Sequence, residues 1–410
     1  MISMFRVWYS TRDLADWLVQ NTNLRSLSPT LSKLAESDAN NPNRFHKMPG
    51  HLKNILYLDA PDIIVEKDGD PIVAVEISKE AGTGHNAFQR FARIAAAVEN
   101  DVPAVYIYPE ATFITRQSSQ RWDKVNPNIF YALERLMQIY NIPALLFYHP
   151  TYYRTHSNTS PPNVHTKGLK NDGNFPSAPD SNDPEMQAFF NFINLVISRS
   201  LRGRTTIPLI NERLVVNRRS WMQQEYMNKG GATRQWSPDT ATIIVPTQAL
   251  LNFLRRFVPY GYIFGDLLTS RSETIIYQID ARFRGDPYPG ALSALDYMRC
   301  RVGKTYEDRD KNLVLAWGRV DYDSTNGTIH ISSTKGSSIG DFISALSSVR
   351  NPGKCLLGAP NFAALRGEDI PRYYMQARYG CMFTKVKHIR VYSFFADAIL
   401  FPDGAVWREG

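Results

Sequence analysis

Apolar and polar positions are patterned most clearly between residues 60 and 80. The run Asp62-Ile63-Ile64-Val65-Glu66 is followed by Lys67-Asp68-Gly69-Asp70, and then by Pro71-Ile72-Val73-Ala74-Val75-Glu76-Ile77-Ser78-Lys79. Two β-branched runs joined by an Asp-Gly turn predict a hairpin, with strands at 62–66 and 72–77. Apolar runs at 104–108 and 144–148 predict further strands. Helical periodicity appears at 86–100 and 127–140. In the first of these, Phe88, Phe91, Ile94, Ala95 and Val98 form one face, and Gln89 and Arg93 share another, four residues apart. Residues 1–60 read as helical with loops. Leu14, Trp17 and Leu18 make an apolar face there, and the stretch PTLSKLAES reads as a helix carrying Glu36.

The pattern then changes. Residues 150–184 hold almost no aliphatic side chains and many Ser, Asn and Pro, the composition of a long loop or linker. Such a segment either stays flexible or orders on nucleic acid. A helix is predicted at 185–201. Strand-like runs follow at 274–280, 312–320, 327–333 and 387–401. The expected organisation is an α/β domain over 1–148, a polar flexible linker over 149–184, and an α+β domain over 185–410. The fold class is mixed: a central sheet flanked by helices, plus a second α/β or α+β unit.

Composition narrows the class. A chain of 410 residues with 43% hydrophobic and 12% aromatic content buries real cores. The formal net charge of +8 favours a polyanionic partner. Cys300, Cys355 and Cys381 are odd in number and far apart, so neither a disulfide framework nor a zinc knuckle is expected. No membrane span, signal peptide or GxxxxGK[ST] loop is seen, so a cytoplasmic protein that uses no ATP is expected.

The hairpin carries the candidate chemistry. It sets Asp62, at the start of one strand, beside Glu76, at the end of the next. Two adjacent carboxylates repel, and a divalent cation relieves that cost. A cation so held activates water and neutralises charge at phosphorus, which is what phosphodiester cleavage needs. Asp62, then Glu76 fourteen residues later, then a Gly-bearing loop, a helix and the strand PAVYIYP, resembles the PD-(D/E)XK nuclease superfamily. The resemblance implies a restriction-endonuclease-like core, with Asp62, Glu76 and Ile77 as ligands of Mg²⁺ and Mn²⁺ able to substitute. It further implies a type II restriction-like endonuclease acting on double-stranded DNA as a homodimer. The pattern departs at one point: Ser78 stands where the motif lysine belongs. Strand alternation sets residue 79 on the face opposite Glu76, so Lys79 can serve only if the strand ends or twists there. Gln89, Arg90 and His85 are the alternatives for the third member.

Outside the motif, Arg218, Arg219, Lys229 and Arg234 alternate with aromatics, and Arg282 and Arg284 flank a Gly/Pro-rich turn. These six are the candidate DNA contacts. Tyr288, Tyr297 and Arg372-Tyr373-Tyr374 are candidates for stacking, and residues 383–390 for a strand with one basic face. Asp280 has no partner carboxylate at a useful offset. Two other functions compete: a repair, phage or defence nuclease that recognises structure, and a nucleic-acid-binding protein of nuclease fold that no longer cuts.

Overall fold

The computed structural model describes residues 3–34, 49–56, 60–79, 85–116, 119–203, 207–233, 242–278, 295–305, 308–332, 338 and 396–407. The chain divides into two compact units, Met1–Arg234 and Gln235–Gly410. Both mix helices and sheet, as the composition and periodicity predict.

The first unit opens with β1 (Phe5–Tyr9), α1 (Arg12–Gln20), α2 (Leu24–Leu27), β2 (Thr30–Lys33) and α3 (Lys53–Leu56). The hairpin follows as β3 (Ile63–Lys67) and β4 (Asp70–Ile77), then α4 (Phe91–Glu99) and β5 (Ala104–Pro109). A second hairpin, β6 (Ala111–Arg116) and β7 (Ser119–Lys124), precedes α5 (Asn128–Tyr140) and β8 (Ala144–His149). Two long helices, α6 (Pro184–Arg202) and α7 (Arg213–Asn228), complete the unit.

Its main sheet runs in the order β2-β1-β3-β4-β5-β8. β3 lies antiparallel between β1 and β4, whereas β4, β5 and β8 are parallel. Asp68 and Gly69 at the hairpin tip have φ of 54° and 94°. Two successive positive φ values make the primed turn whose twist suits a hairpin, and Asp-Gly tolerates it. Every residue of β5 and β8 is buried. That burial explains their unbroken apolar runs, because parallel strands are covered on both faces. α4 covers the face that carries Glu76 and Tyr106. α6 covers the other, with Phe189 against Phe147 (5.8 Å) and stacked on Trp17 of α1 (5.7 Å).

Three expectations change. Residues 1–60 are not helical throughout. β1 alternates buried Phe5 and Val7 with half-exposed neighbours, and Thr30–Lys33 pairs with it in parallel, where a helix was expected. Glu36 lies outside the described residues. The stretch 150–184 has little regular structure, but it is tied down rather than a free linker. Bridges join Thr151 to Leu169 and Asn171 to Pro179. Asp172 accepts from the Ser181 hydroxyl and from the amides of Asn174, Phe175 and Ser181. Finally, α6 and α7 belong to the first unit, so the boundary falls after residue 234 rather than at 148 or 185. Phe189, Arg218 and Trp221 pack on side chains of β8, and sequence proximity does not reveal such contacts.

The second unit contains β9 (Thr242–Pro246), α8 (Thr247–Leu254), α9 (Asp266–Thr269), β10 (Glu273–Gln278), β11 (Lys311–Ala316), β12 (Arg319–Asp323), β13 (Thr328–Ser332), β14 (Ala398–Phe401) and β15 (Gly404–Trp407). Its sheet runs β15-β14-β11-β10-β9, parallel in the middle and antiparallel at both edges. Leu250, Leu254, Val314, Leu400 and Trp407 lie in its core. Asp397 is buried between Arg271 and Arg309 and accepts the Leu313 amide at 2.8 Å. A buried carboxylate held by two guanidinium groups is structural here, since its partners are themselves buried.

Candidate active site at the sheet end

The strand register sets the site. Ile63 pairs with Val75, so the next residues outward, Asp62 and Glu76, come side by side. Glu76 pairs in turn with Tyr106, and Ser10 donates its amide to the Asp62 carbonyl at 2.8 Å. Directly opposed residues project from the same face of a sheet. The result is a row of Ser10, Asp62, Glu76 and Tyr106 across four strands.

The two carboxylates sit in different surroundings. Asp62 is half-buried. Its Oδ1 accepts the Ser10 hydroxyl at 2.9 Å, and its Oδ2 accepts the Ile77 amide at 2.9 Å. Glu76 is wholly buried. Arg93 Nη1 donates to both of its oxygens, at 2.8 and 2.7 Å, and Arg90 Nη1 donates to Oε1 at 2.5 Å. Burial pushes the Glu76 carboxyl up from its ordinary value and Asp62 adds to that, while Arg93 and Arg90 oppose it. Both arginines come from the crossover that follows the hairpin. Arg90 ends a 3-10 turn (His85–Arg90) and Arg93 lies in the first turn of α4, so one helical turn aims both at one carboxylate. The Tyr106 hydroxyl pins that turn by donating to the Ala87 carbonyl at 3.2 Å.

Lys79 is resolved by where the strand stops. β4 ends at Ile77 and Ser78 still makes a ladder hydrogen bond, so alternation ceases to fix the direction only at Lys79. Ser78 is buried and its amide donates to the Ile107 carbonyl at 2.9 Å. The half-buried Lys79 ammonium falls within the fields of Asp62 and of Asp13 in α1. Burial lowers its pKa, and the two carboxylates oppose that shift. The side chains of Gln89 and His85 lie outside the described residues.

A neighbour that the sequence reading missed is His149, at the end of β8. It is buried, and burial pulls its pKa down to about 4. Nδ1 lies 3.1 Å from the Pro150 carbonyl. A carbonyl only accepts, so Nδ1 carries the proton and donates it. Nε2 is then a bare acceptor with no hydrogen-bond partner among the described residues, and Lys79 is close enough to act on the ring. Ser10, Asp13 and Tyr106 were missed as well. Ser10 and Asp13 offer only a strand-end and a helix-start position, and Tyr106 only a place inside an apolar strand, signals that are common everywhere. Arg93 stood out in the sequence only as a neighbour of Gln89.

The implied Mg²⁺ meets an obstacle in this geometry. A ligand carboxylate must present free lone pairs, and both Glu76 oxygens already face guanidinium N–H groups. Among the described residues, no group of three or more His, Cys, Asp or Glu side chains is placed to hold a metal ion. As arranged, Asp62, Glu76 and Ile77 do not fit a two-carboxylate cation centre, because Arg90 and Arg93 supply the positive charge instead. What the arrangement offers chemically is one partly accessible carboxylate, Asp62, with the cations of Lys79 and Arg90 beside it. Arg90 keeps 34% of its side chain exposed.

The candidate DNA contacts are placed differently from expectation. Arg218 is half-buried: Nε donates to the Leu146 carbonyl at 2.8 Å and Nη2 to Glu185 at 2.6 Å, with the guanidinium 3.6 Å from the Trp221 ring centre. Arg219 pairs with Glu134 at 2.6 Å, and Lys229 with Glu110 at 2.5 Å. These cations bind α7 to the rest of the first unit rather than presenting a row to phosphates. Glu185, Glu134 and Glu110 lie 33 to 119 residues away in the chain, so local spacing could not reveal them; only the second partner of Lys229, Glu225, is local. Arg234, Arg282 and Arg284 lie outside the described residues, as do Asp280, Tyr288, residues 372–374 and residues 383–390. Tyr297 is wholly buried beneath Arg301 and Arg309, a core position. Among the described residues, no helix is long and apolar enough to cross a membrane.

No protein-family model, curated protein or solved structure matches the chain.

Proposed function

We propose that this chain hydrolyses phosphodiester bonds of nucleic acid, with double-stranded DNA as the first target, at the sheet end where Asp62 faces Glu76. The observation that carries this reading is that juxtaposition, with the Lys79 ammonium in the field of Asp62 from beyond the strand. The order hairpin, crossover helix, parallel strand, seen in β3, β4, α4 and β5, supports a nuclease-like core. The Lys79 and Arg90 cations are suited to hold a phosphodiester and offset charge building on its oxygens. Asp62, fixed by Ser10 and Ile77, is suited to orient a water. Mg²⁺ dependence, with Mn²⁺ substituting, is what the resemblance implies. The guanidinium clamp on Glu76 makes it a quantity to measure, and the chemistry above does not rest on it. A homodimer cutting both strands belongs to the same proposal.

The test is cleavage of supercoiled plasmid by wild type, Asp62→Asn and Glu76→Gln, each with Mg²⁺, Mn²⁺ and chelator. Asp62→Asn is expected to lower the rate at least a hundredfold. Unchanged cutting by that variant refutes the assignment. A second reading is favoured by one observation, the enclosure of Glu76 by Arg90 and Arg93: a nuclease-fold protein that binds nucleic acid without cutting it. Binding with no cleavage under any divalent ion would establish it.

A further inference from the structure

Two insertions leave the sheet at the same end as the carboxylate row. β4, β5 and β8 are parallel and end at the same edge of the sheet, Pro109 beside His149 and both two residues beyond the level of Ile77. The β6–β7 hairpin follows β5 directly, closed at its base by the Val125 amide on the Glu110 carbonyl (2.9 Å). The 150–184 stretch follows β8. At a strand spacing of ~4.8 Å, β8 lies about 10 Å across the sheet from β4. Ligands of open parallel sheets bind in the crevice at this end of the strands.

The two insertions line an open cleft of about 680 Å³. Its apolar wall is Trp122, Phe113 and Tyr153, with Trp122 edge-on to each of the other rings at 5.4 Å. That wall is fixed. Trp122 Nε1 donates to the His156 carbonyl at 2.7 Å and the Thr159 carbonyl at 3.2 Å, so the indole is not left to rotate. Gly168, at φ +76°, lets the backbone close against the indole ring, and the Phe113 amide donates to the Lys167 carbonyl at 2.8 Å. The rim is polar and basic. Arg121 is 61% exposed and holds the buried Asp123 only through Nε, at 3.2 Å. Lys124 lies 5.5 Å from the Tyr153 ring centre and, among the described residues, has no carboxylate at ion-pair distance. Ser157 and Asn158 add short polar groups.

We infer that this pocket binds an unstacked nucleotide of the nucleic-acid strand that reaches the carboxylate row. The base lies against Tyr153 and Trp122, and the adjoining phosphate sits between Arg121 and Lys124. The inference rests on the proposed function for its choice of nucleic acid. Aromatic faces stack on any base, and the volume suits a nucleotide. A neutral sugar would also stack on such a wall, but it gives two rim cations nothing to neutralise. The β6–β7 hairpin and the ordered polar stretch thereby gain a common role: together they extend the strand path from the reacting phosphate to a neighbouring nucleotide.

The test measures fluorescence anisotropy of a fluorescein-labelled single-stranded dT12 and of a 12-base-pair duplex with the full chain in chelator, so that nothing is cut. Arg121→Glu and Lys124→Glu are each expected to weaken dT12 binding at least tenfold and to flatten its salt dependence. Arg25→Glu, an exposed charge reversal elsewhere, is expected to change it less than twofold. In the wild type, a 4-thiothymidine version of the oligonucleotide is expected to photocrosslink to the peptides bearing Trp122 or Tyr153, which needs no variant to fold. Unchanged affinity in both rim variants overturns the inference, as does crosslinking confined to other peptides or displacement by neutral oligosaccharide. Plasmid cleavage by the same proteins separates the two claims. Cutting with rim-independent binding refutes this inference alone. Rim-dependent binding without cutting refutes the hydrolytic reading alone.

Discussion

Removing Arg93 tests how the buried carboxylate is held. Glu76 is 0% exposed, and a single nitrogen of Arg93, itself 7% exposed, reaches both of its oxygens. Arg93→Leu keeps the bulk and removes the charge. Breaking one partner of a buried ion pair costs about 3–5 kcal/mol, because the other charge stays buried. Arg90 remains on Oε1, so the lower end applies, about 3 kcal/mol. With a urea dependence near ~3 kcal/mol per molar for a unit of this size, the midpoint moves down by about 1 M. Arg90→Ala removes a partner that is one-third exposed and is expected to cost only about 1 kcal/mol. The sign with pH is also fixed. Burial raises the Glu76 carboxyl, and losing Arg93 removes the larger of the two opposing charges. An acid whose folded pKa lies above its unfolded one binds more protons when folded. The variant's stability therefore falls as pH rises from about 4.5 through the folded value. The assay is urea unfolding followed by fluorescence at pH 5 and pH 8, with Glu76→Gln/Arg93→Leu completing a double-mutant cycle. The cycle is expected to recover at least ~1 kcal/mol. An Arg93→Leu loss equal to that of Arg90→Ala, or one that does not shrink at pH 5, refutes the account.

Two further predictions concern the stretch 150–184. Gly168→Ala places a Cβ 2.4 Å from Trp122 Cη2 at a backbone φ of +76°, so the indole must shift and the backbone is strained. A loss of about 2–3 kcal/mol is expected in thermal unfolding, and one below ~0.5 kcal/mol refutes the packing argument. For Asp172, burial acts to raise the carboxyl, but the Ser181 hydroxyl and the amides of Asn174, Ser181 and Phe175 outweigh it and hold the carboxyl below its usual range. Its contribution is present above about pH 3.9 and is lost as pH falls through the lower folded value. Asp172→Ala is expected to cost about 2 kcal/mol and to speed amide exchange at Asn174, Phe175 and Ser181 at pH 6. Unchanged exchange there contradicts the assigned role.

Local features were legible in the chain of residues. The Asp62–Lys79 hairpin, its Asp-Gly turn and the α4 and α5 helices follow from period and turn chemistry, which act over a few residues. The turn made a hairpin legible, but the pairing of Asp62 with Glu76 also needs the register shift between Val65 and Glu66, because the register at the turn, carried on unbroken, would set Val75 opposite Asp62. Tertiary structure decided the rest. A period-2 signal as short as Phe5–Tyr9 does not outweigh neighbouring helical patterns, so β1 came to light only beside β3. That Lys79 lies beyond the paired part of β4 depended on where that strand ends, at Ile77. That Arg218, Arg219 and Lys229 face carboxylates depended on partners far away along the chain. That a stretch rich in Ser, Asn and Pro is ordered depended on the Trp122 and Asp172 hydrogen bonds, which no composition reports. The same reason governs the carboxylate row. Residue types and strand register place Glu76 beside Asp62, but only the returning turn of α4 decides whether a cation or two guanidinium groups neutralise it.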